Sequence, residues 1–114
     1  MTNHLYHYKA HVLEVCNGDT IIVQIDLGFS INLNQKLRLY EVNPIQENDS
    51  ESDSPSKLAL QKWLLDKEVL LESIFLNKHQ HALTFGIVHF LEDGKWINAN
   101  DRLVAEKLAI EVEY

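Results

Sequence analysis

The side chains of this chain that could bind a soft metal ion are its histidines and its cysteine. Six histidines are present, and His79, His81 and His89 lie near one another in the sequence. Alternate residues of a strand share a face, so His79 and His81 could approach the same ion. No cysteine or acidic pattern completes a tetrahedral set around them, because Cys16 is the only cysteine. The spacing therefore favours surface histidines over a zinc site, and it excludes an intramolecular disulfide.

Acidic residues alternate along segment 43–54, at positions 47, 49, 51 and 53, among Pro, Asn, Gln and Ser. Carboxylate oxygens are ligands of hard cations such as Ca²⁺, and a negative loop could also contact a basic partner protein. A segment of this composition is most often a solvated surface loop. We predict an acidic loop here, with cation binding and partner binding as open alternatives.

Basic residues are outnumbered in this chain. It has 10 Lys and Arg against 17 Asp and Glu, which gives a formal charge of −7. Proteins that bind long nucleic acids regardless of sequence concentrate Lys and Arg on one face. Lys9, Lys36 and Arg38 are too few and too scattered to form such a track. The charge therefore argues against a long nucleic-acid partner.

The length of 114 residues, with 46% hydrophobic residues, predicts one domain over residues 1–114. The N-terminal residues show no basic region followed by an apolar one, so we predict no secretory signal. No apolar stretch approaches the ~18–20 residues that span a bilayer. The sequence thus predicts a cytoplasmic protein that makes no membrane contact.

Three strands joined by short turns are predicted in the first part of the chain. Segments 6–15 and 20–26 are rich in β-branched and aromatic residues, and Asn17-Gly18 between them is typical of a hairpin turn with positive φ. Segment 31–42 alternates from Ile31 and Leu33 onward, with a shift near Tyr40, and predicts a third, half-buried strand. These strands would form a meander.

Helices and two further strands are predicted in the rest of the chain. Ser54 as N-cap and Pro55 at the first position predict a helix of about three turns. Segments 67–76 and 82–91 are predicted strands, residues 92–95 a hairpin turn, and residues 101–107 a short helix capped by Asn98 or Asn100. Trp63 and Trp96 are expected in the core. This order predicts a five-stranded OB-like barrel with two short helices.

Several ordered blocks of the chain resemble the staphylococcal nuclease (thermonuclease, SNase-like) family. Val-Cys-Asn-Gly-Asp-Thr at 15–20 is similar to the family's Asp-Gly-Asp-Thr turn, and Leu-Arg-Leu-Tyr-Glu-Val-Asn at 37–43 to its Arg-containing strand. Further similar blocks follow in the family's order, at 56–65, 68–74, 93–98 and 103–109. The resemblance extends from about residue 8 to the end, and short forms of this kind occur in bacteria and phages. It implies the family's OB-fold barrel.

The resemblance also implies a chemistry, which is Ca²⁺-assisted hydrolysis of phosphodiesters. Position by position, Asp19 matches a metal-binding aspartate and Thr20 the threonine whose carbonyl binds the ion. Arg38 matches the first of two arginines that bind the phosphate as negative charge develops. These three residues are the part of the family's active site that the chain retains.

Other positions depart from the family. Asn43 stands where the second metal-binding aspartate belongs, and Gln46 stands where the general-base glutamate belongs. A side-chain amide cannot accept a proton at neutral pH. The second arginine is replaced by Ile87, or by His81 in a less favoured alignment. Lys107 stands where the family commonly has the glycine that ends a helix.

These departures predict a catalytically dead or strongly impaired module. Loss of one charge-stabilising donor costs about 10²–10³ in rate, and loss of a general base costs about 10²–10⁴ more. The expected ligand is a nucleotide phosphate near Arg38, as in a nucleotide-sequestering phage protein, or else a partner protein, with no cofactor required. The alternative is a Ca²⁺-dependent nuclease with a rebuilt site, in which Asp19 and acids such as Asp49 hold the ion and Glu47 is the base.

Overall fold

A computed structural model describes residues 7–45, 54–74 and 84–112 of the chain. In chain order, the elements of these ranges are β1 (His7–Asn17), β2 (Thr20–Asp26), β3 (Asn32–Leu39), β4 (Val42–Pro44), α1 (Pro55–Leu64), β5 (Glu68–Ile74), β6 (Phe85–Glu92), β7 (Lys95–Asn98), α2 (Ala99–Ala105) and β8 (Ala109–Glu111).

Five of the strands close into a barrel. Strand β1 pairs antiparallel with β2 and with β5, β2 pairs with β3, and β5 with β6. The ring closes where β3 runs parallel to β6, with Arg38 opposite Phe85 and Leu39 opposite Gly86. Two register irregularities in β1 allow the long strand to curve around the ring. The prediction of a closed five-stranded barrel with two short helices is confirmed.

The barrel interior is filled by inward-facing residues of all five strands, and the helices cover it. Both helices bury leucines against this core, as Leu60 and Leu64 of α1 and Leu103 of α2 are fully buried. Ser54 caps α1 through its side-chain oxygen, as predicted, and Asn98 caps α2. Neither helix of the described ranges is long and apolar enough to cross a membrane.

Asn100 is a buried polar residue at the seam of the barrel, and it is not a helix cap. Its Oδ1 accepts from the Val88 N–H at 3.1 Å, and its Nδ2 donates to the carbonyls of Tyr40 at 3.0 Å and Gly86 at 3.2 Å. The expected helix 101–107 therefore begins earlier, at Ala99, because Asn98 takes the capping position.

The turn between β1 and β2 differs from the prediction. Neither Asn17 nor Gly18 has a positive φ. Glycine is needed there because of space, since a Cβ on Gly18 would lie 2.8 Å from the Cβ of Pro44 and 3.1 Å from that of Ser56. The Ser56 hydroxyl also donates to the Gly18 carbonyl at 2.7 Å, so α1 is packed directly against this turn.

The predicted third strand and acidic loop are also corrected. The strand breaks at Tyr40 and Glu41, where Glu41 has φ +62°, and β4 begins at Val42. Residues 42–44 pair with β8 and are not loop. Residues 46–53, which include Glu47, Asp49, Glu51 and Asp53, lie outside the described residues.

Three apolar residues that were expected to be buried are exposed. Ile31 and Leu33 lie near the β2–β3 turn, close in the chain to the 96% exposed Phe29. Trp96 is 49% exposed because it stands on the outer face of β7, opposite Leu91. Trp63 does pack against the core, and its ring stacks on Phe90 at 5.5 Å.

Candidate functional site

A cleft lies at the end of the β1–β2 turn beside the β3–β6 seam. Its volume is about 450 Å³, within the ~300–1,000 Å³ typical of small-ligand sites. We call it the Arg38 cleft; it is lined by Asn17, Asp19, Thr20, Gln35, Lys36, Arg38 and Thr84. Three of these are the retained residues that the sequence indicated, so the fold brings them together.

Asp19 is fixed by the turn in which it lies. Its N–H donates to the Asn17 side-chain oxygen at 3.1 Å, and its carbonyl accepts from the Leu39 N–H at 2.8 Å. The Thr20 hydroxyl donates to Asp19 Oδ1 at 2.9 Å. These contacts hold the carboxylate, which is only 14% exposed, at the wall of the cleft.

Arg38 is positioned by strand pairing on both sides. It stands opposite Thr20 of β2, and its N–H donates to the Thr84 carbonyl at 2.8 Å at the seam with β6. Its Nε lies 3.1 Å from Asp19 Oδ2, without the alignment of a hydrogen bond. The guanidinium carbon lies 6.0 Å from the centre of the Phe85 ring. Arg38 is thus oriented by an ion pair on one edge and an aromatic ring nearby.

The contact of this ion pair is made by Nε of Arg38. No second ion-pair partner of Arg38 is found among the described residues, so its Nη groups can donate N–H bonds to two oxygens of a tetrahedral phosphate. Lys36 adds a second positive charge, and Gln35 donates to the Thr84 hydroxyl at 3.2 Å across the seam. The described lining of the cleft therefore carries two positive charges against one negative charge, on a chain of net charge −7.

Of the other predicted site residues, the two that the structure describes, Asn43 and Ile87, do not line this cleft. Asn43 is exposed on β4, opposite Ile110. Gln46, Glu47 and His81 lie outside the described residues, as does His79. No group of three or more His, Cys, Asp or Glu side chains arranged for a metal ion is found in the described ranges.

Ile87 lines a second cleft, of about 230 Å³, on the other side of the β3–β6 seam. Its walls include Tyr40 and Val104, and its rim carries the carboxylates Glu41, Asp101 and Glu111. The position that the resemblance assigns to a second phosphate-binding arginine is therefore an apolar wall of a cleft with acidic surroundings, separate from the Arg38 cleft.

Two groups outside the Arg38 cleft have shifted pKa values. Burial raises the pKa of the Cys16 thiol, and Glu14 raises it further, against the lowering effect of Lys36 and Lys57. Cys16 is thus held in its unreactive thiol form. Burial also lowers the pKa of His89 on β6, which outweighs the raising effect of Glu72.

Comparison with protein-family models and with curated proteins finds no match to this chain.

Proposed function

We propose that this chain is a staphylococcal-nuclease-like OB-fold module that binds a nucleotide through its phosphate at Arg38 and is catalytically dead or strongly impaired. The family assignment is supported by the ordered sequence blocks, and the closed five-stranded barrel with two short helices is compatible with it. OB barrels bind ligands on the face where their strands and loops leave an opening.

The observation that carries phosphate binding is the orientation of Arg38. Asp19 and Phe85 restrain the guanidinium before any ligand arrives, so little side-chain freedom is lost on binding. Phosphate accepts two parallel N–H bonds from such a group, and Lys36 lies on the same cleft wall. The remaining lining residues are amides and hydroxyls, which suit a sugar and a base.

The proposed loss of catalysis is supported by the small number of possible metal ligands among the described lining residues. Among the described residues that line the cleft, Asp19 is the only carboxylate, and both of its oxygens are engaged, by Thr20 and by Arg38. A carboxylate in that arrangement positions Arg38. Ca²⁺ would need six to eight oxygen ligands, and Gln46 at the position of the family's general base cannot take a proton from water.

Calorimetric titration with nucleotides tests the proposal. Arg38→Ala should weaken binding by tenfold or more, and Lys36→Ala should weaken it less, because Lys36 is exposed. Lys95→Ala, which removes the same charge at the β6–β7 turn, is the matched control and should leave binding unchanged. Equal affinities of the wild-type and Arg38→Ala proteins would contradict the proposal, as would binding of a partner protein alone.

Digestion of single-stranded DNA and RNA in Ca²⁺ or EDTA tests the alternative of an active nuclease. A dead or strongly impaired module should show no metal-dependent cleavage, or only a trace of it at high protein concentration. Cleavage in Ca²⁺ that is abolished by both Glu47→Gln and Arg38→Ala would instead establish a rebuilt active site with Glu47 as its base.

A further inference from the structure

Lys36 and Arg38 place two positive charges on one face of β3. They stand two residues apart, and Leu37 and Leu39, which alternate with them, are buried in the barrel core, so both cationic side chains point away from that core. Both line the Arg38 cleft, in which Asp19 is the only carboxylate among the described lining residues. The described lining therefore carries a net charge of +1, and it attracts a doubly charged anion more strongly than a singly charged one.

Phosphate groups differ in charge and in free oxygens according to their substitution. A terminal phosphate monoester carries about −1.5 to −2 charges at pH 7 and has three oxygens that accept hydrogen bonds strongly. An internal phosphodiester carries one negative charge, as each phosphate of DNA does, and its second ester bond leaves two such oxygens. Charge and the number of acceptors therefore distinguish the two groups.

The cationic donors of the cleft match the three oxygens of a monoester. The Nη groups of Arg38 can donate to two of them, and the Lys36 ammonium, on the same face of β3, can donate to the third. A diester bound at the same place would offer one acceptor fewer and would bring less negative charge to the two cations.

From these charges and donors we infer that, given the proposed function, the ligand at Arg38 is a nucleotide with a terminal phosphate monoester, and that a phosphodiester binds less tightly. A cleft of about 450 Å³ holds a ligand of nucleotide size. The net charge of −7 acts against a polynucleotide, which carries many further phosphates past the cleft. A nucleoside monophosphate meets all of these conditions.

Paired ligands test this inference with the base and the sugar held constant. Calorimetric titration at pH 7.5 compares 5′-AMP with its methyl ester, adenosine 5′-(methyl phosphate), and 5′-GMP with the corresponding ester of guanosine. Each monophosphate should bind about fivefold more tightly than its ester, which is the effect of one unit charge about 4 Å away in water. The samples are analysed for hydrolysis products, so that binding is separated from turnover.

Two variants change the charge of the lining in opposite directions. Lys36→Gln lowers it from +1 to 0 and should remove most of the preference for the monophosphate, whereas Asp19→Asn raises it to +2 and should increase that preference. Lys95→Gln, which removes the same charge from the exposed start of β7, is the matched control and should leave the preference as it is. Each variant is judged by the ratio of its two affinities, because a change in the position of Arg38 would alter both.

A lower pH separates the effect of charge from that of the larger ester. The second pKa of a phosphate monoester is about 6, so at pH 5.5 most of the monophosphate carries one charge, while the ester carries one charge at both pH values. The described lining contains no histidine, and protonation elsewhere in the protein acts on both ligands. The ratio of the two affinities should therefore fall toward one at pH 5.5.

The outcomes separate this inference from the function on which it rests. Equal binding of monophosphate and ester by the wild-type protein, or tighter binding of the ester, overturns the inference but leaves nucleotide binding at Arg38 intact. A preference that stays the same in Lys36→Gln and at pH 5.5 reflects the size of the ester and also overturns it. Failure of all four ligands to bind overturns both.

Discussion

Lys107 ends α2 in a backbone conformation that side chains rarely adopt, with φ +63°. Its N–H donates to the Val104 carbonyl at 3.0 Å, so the left-handed geometry is part of the helix end. Lys107→Gly should therefore stabilise the fold by about 0.5–1 kcal/mol, because glycine adopts this φ without a Cβ clash. Urea unfolding measures the change.

Lys62→Gly is the control for that substitution, since Lys62 lies in the last turn of α1 and does not have a positive φ. It should lower the free energy of unfolding by about 1 kcal/mol, as glycine does in a helix interior. A loss of stability in Lys107→Gly as well would show that the lysine side chain is needed at the helix end.

The resemblance to the staphylococcal nuclease family implies Asp19, Thr20 and Arg38 at one site, and the strands β2 and β3 bring the three residues to one cleft. Thr20 indeed lies opposite Arg38. The restraint of Arg38 by Phe85 depends on the parallel pairing of β3 with β6, across more than forty residues of chain. The alternation of apolar and polar residues within a strand does not indicate which distant strand it pairs with, so the pairing of β3 with β6 could not be predicted from the sequence.

Strands β3 and β6 and helix α2 are linked at one point by Asn100. Asn100→Ala should cost about 2–3 kcal/mol, because the Val88 N–H and the Tyr40 carbonyl would lose the Asn100 side chain as partner, while the Gly86 carbonyl would keep the Tyr40 N–H. Chemical denaturation of the variant, compared with Asn98→Ala, measures this. The Asn98 side chain is the N-cap of α2, so its loss should cost about 1 kcal/mol. Equal costs would contradict a linking role for Asn100.

Strand β6 also makes stability depend on pH. The pKa of His89 is lowered from 6.5 in the fold, chiefly by burial, so below pH 6.5 the unfolded chain binds the proton more readily than the native one. Stability from neutral His89 is thus fully present above pH 6.5 and declines as pH falls toward its lower native pKa.

Replacing this histidine should reduce the acid sensitivity. The urea midpoint of the wild-type protein should fall more between pH 7.5 and pH 5.5 than that of His89→Gln. Glu72, His7 and Asp101 also act on His89, so each protein is compared with itself at the two pH values. An equal fall in both proteins would assign the acid sensitivity to other groups.

Helices and turns that are specified by adjacent residues can be predicted from the sequence. The Ser54-Pro55 helix start and the Asp93-Gly94 turn, with φ +52° and +79°, occur where composition indicates them. Asn43 and Pro44 of β4 are predicted as loop, because the strand that β4 pairs with in the described part of the chain is β8, more than sixty residues away. At Gly18 the sequence predicts a glycine required by a positive φ. The glycine is instead required by the close approach of Pro44 and Ser56, which a local pattern cannot show because both residues are remote in sequence.

At the scale of the whole molecule, net charge and local charge oppose each other. The chain carries −7, yet the described lining of the Arg38 cleft carries +1. A single phosphate bound at the cleft is acted on mainly by Arg38 and Lys36. A longer ligand extends past the cleft and is repelled by acidic residues that lie within a Debye length of it, about 8 Å at physiological salt.

The effect of the net charge on ligand length can be tested by neutralising acidic residues outside the cleft. The triple variant Glu68→Gln, Asp93→Asn and Glu111→Gln reduces the net charge from −7 to −4 at exposed positions outside the lining of the Arg38 cleft. It should strengthen binding of a fluorescent single-stranded dodecanucleotide, measured by anisotropy at low salt, and should leave the affinity for a mononucleotide unchanged. The gain should shrink as salt is added, since screening weakens the field of distant acids more than that of Arg38. If the dodecanucleotide gains nothing, the net charge does not control ligand length, and the limit must come from the shape of the cleft.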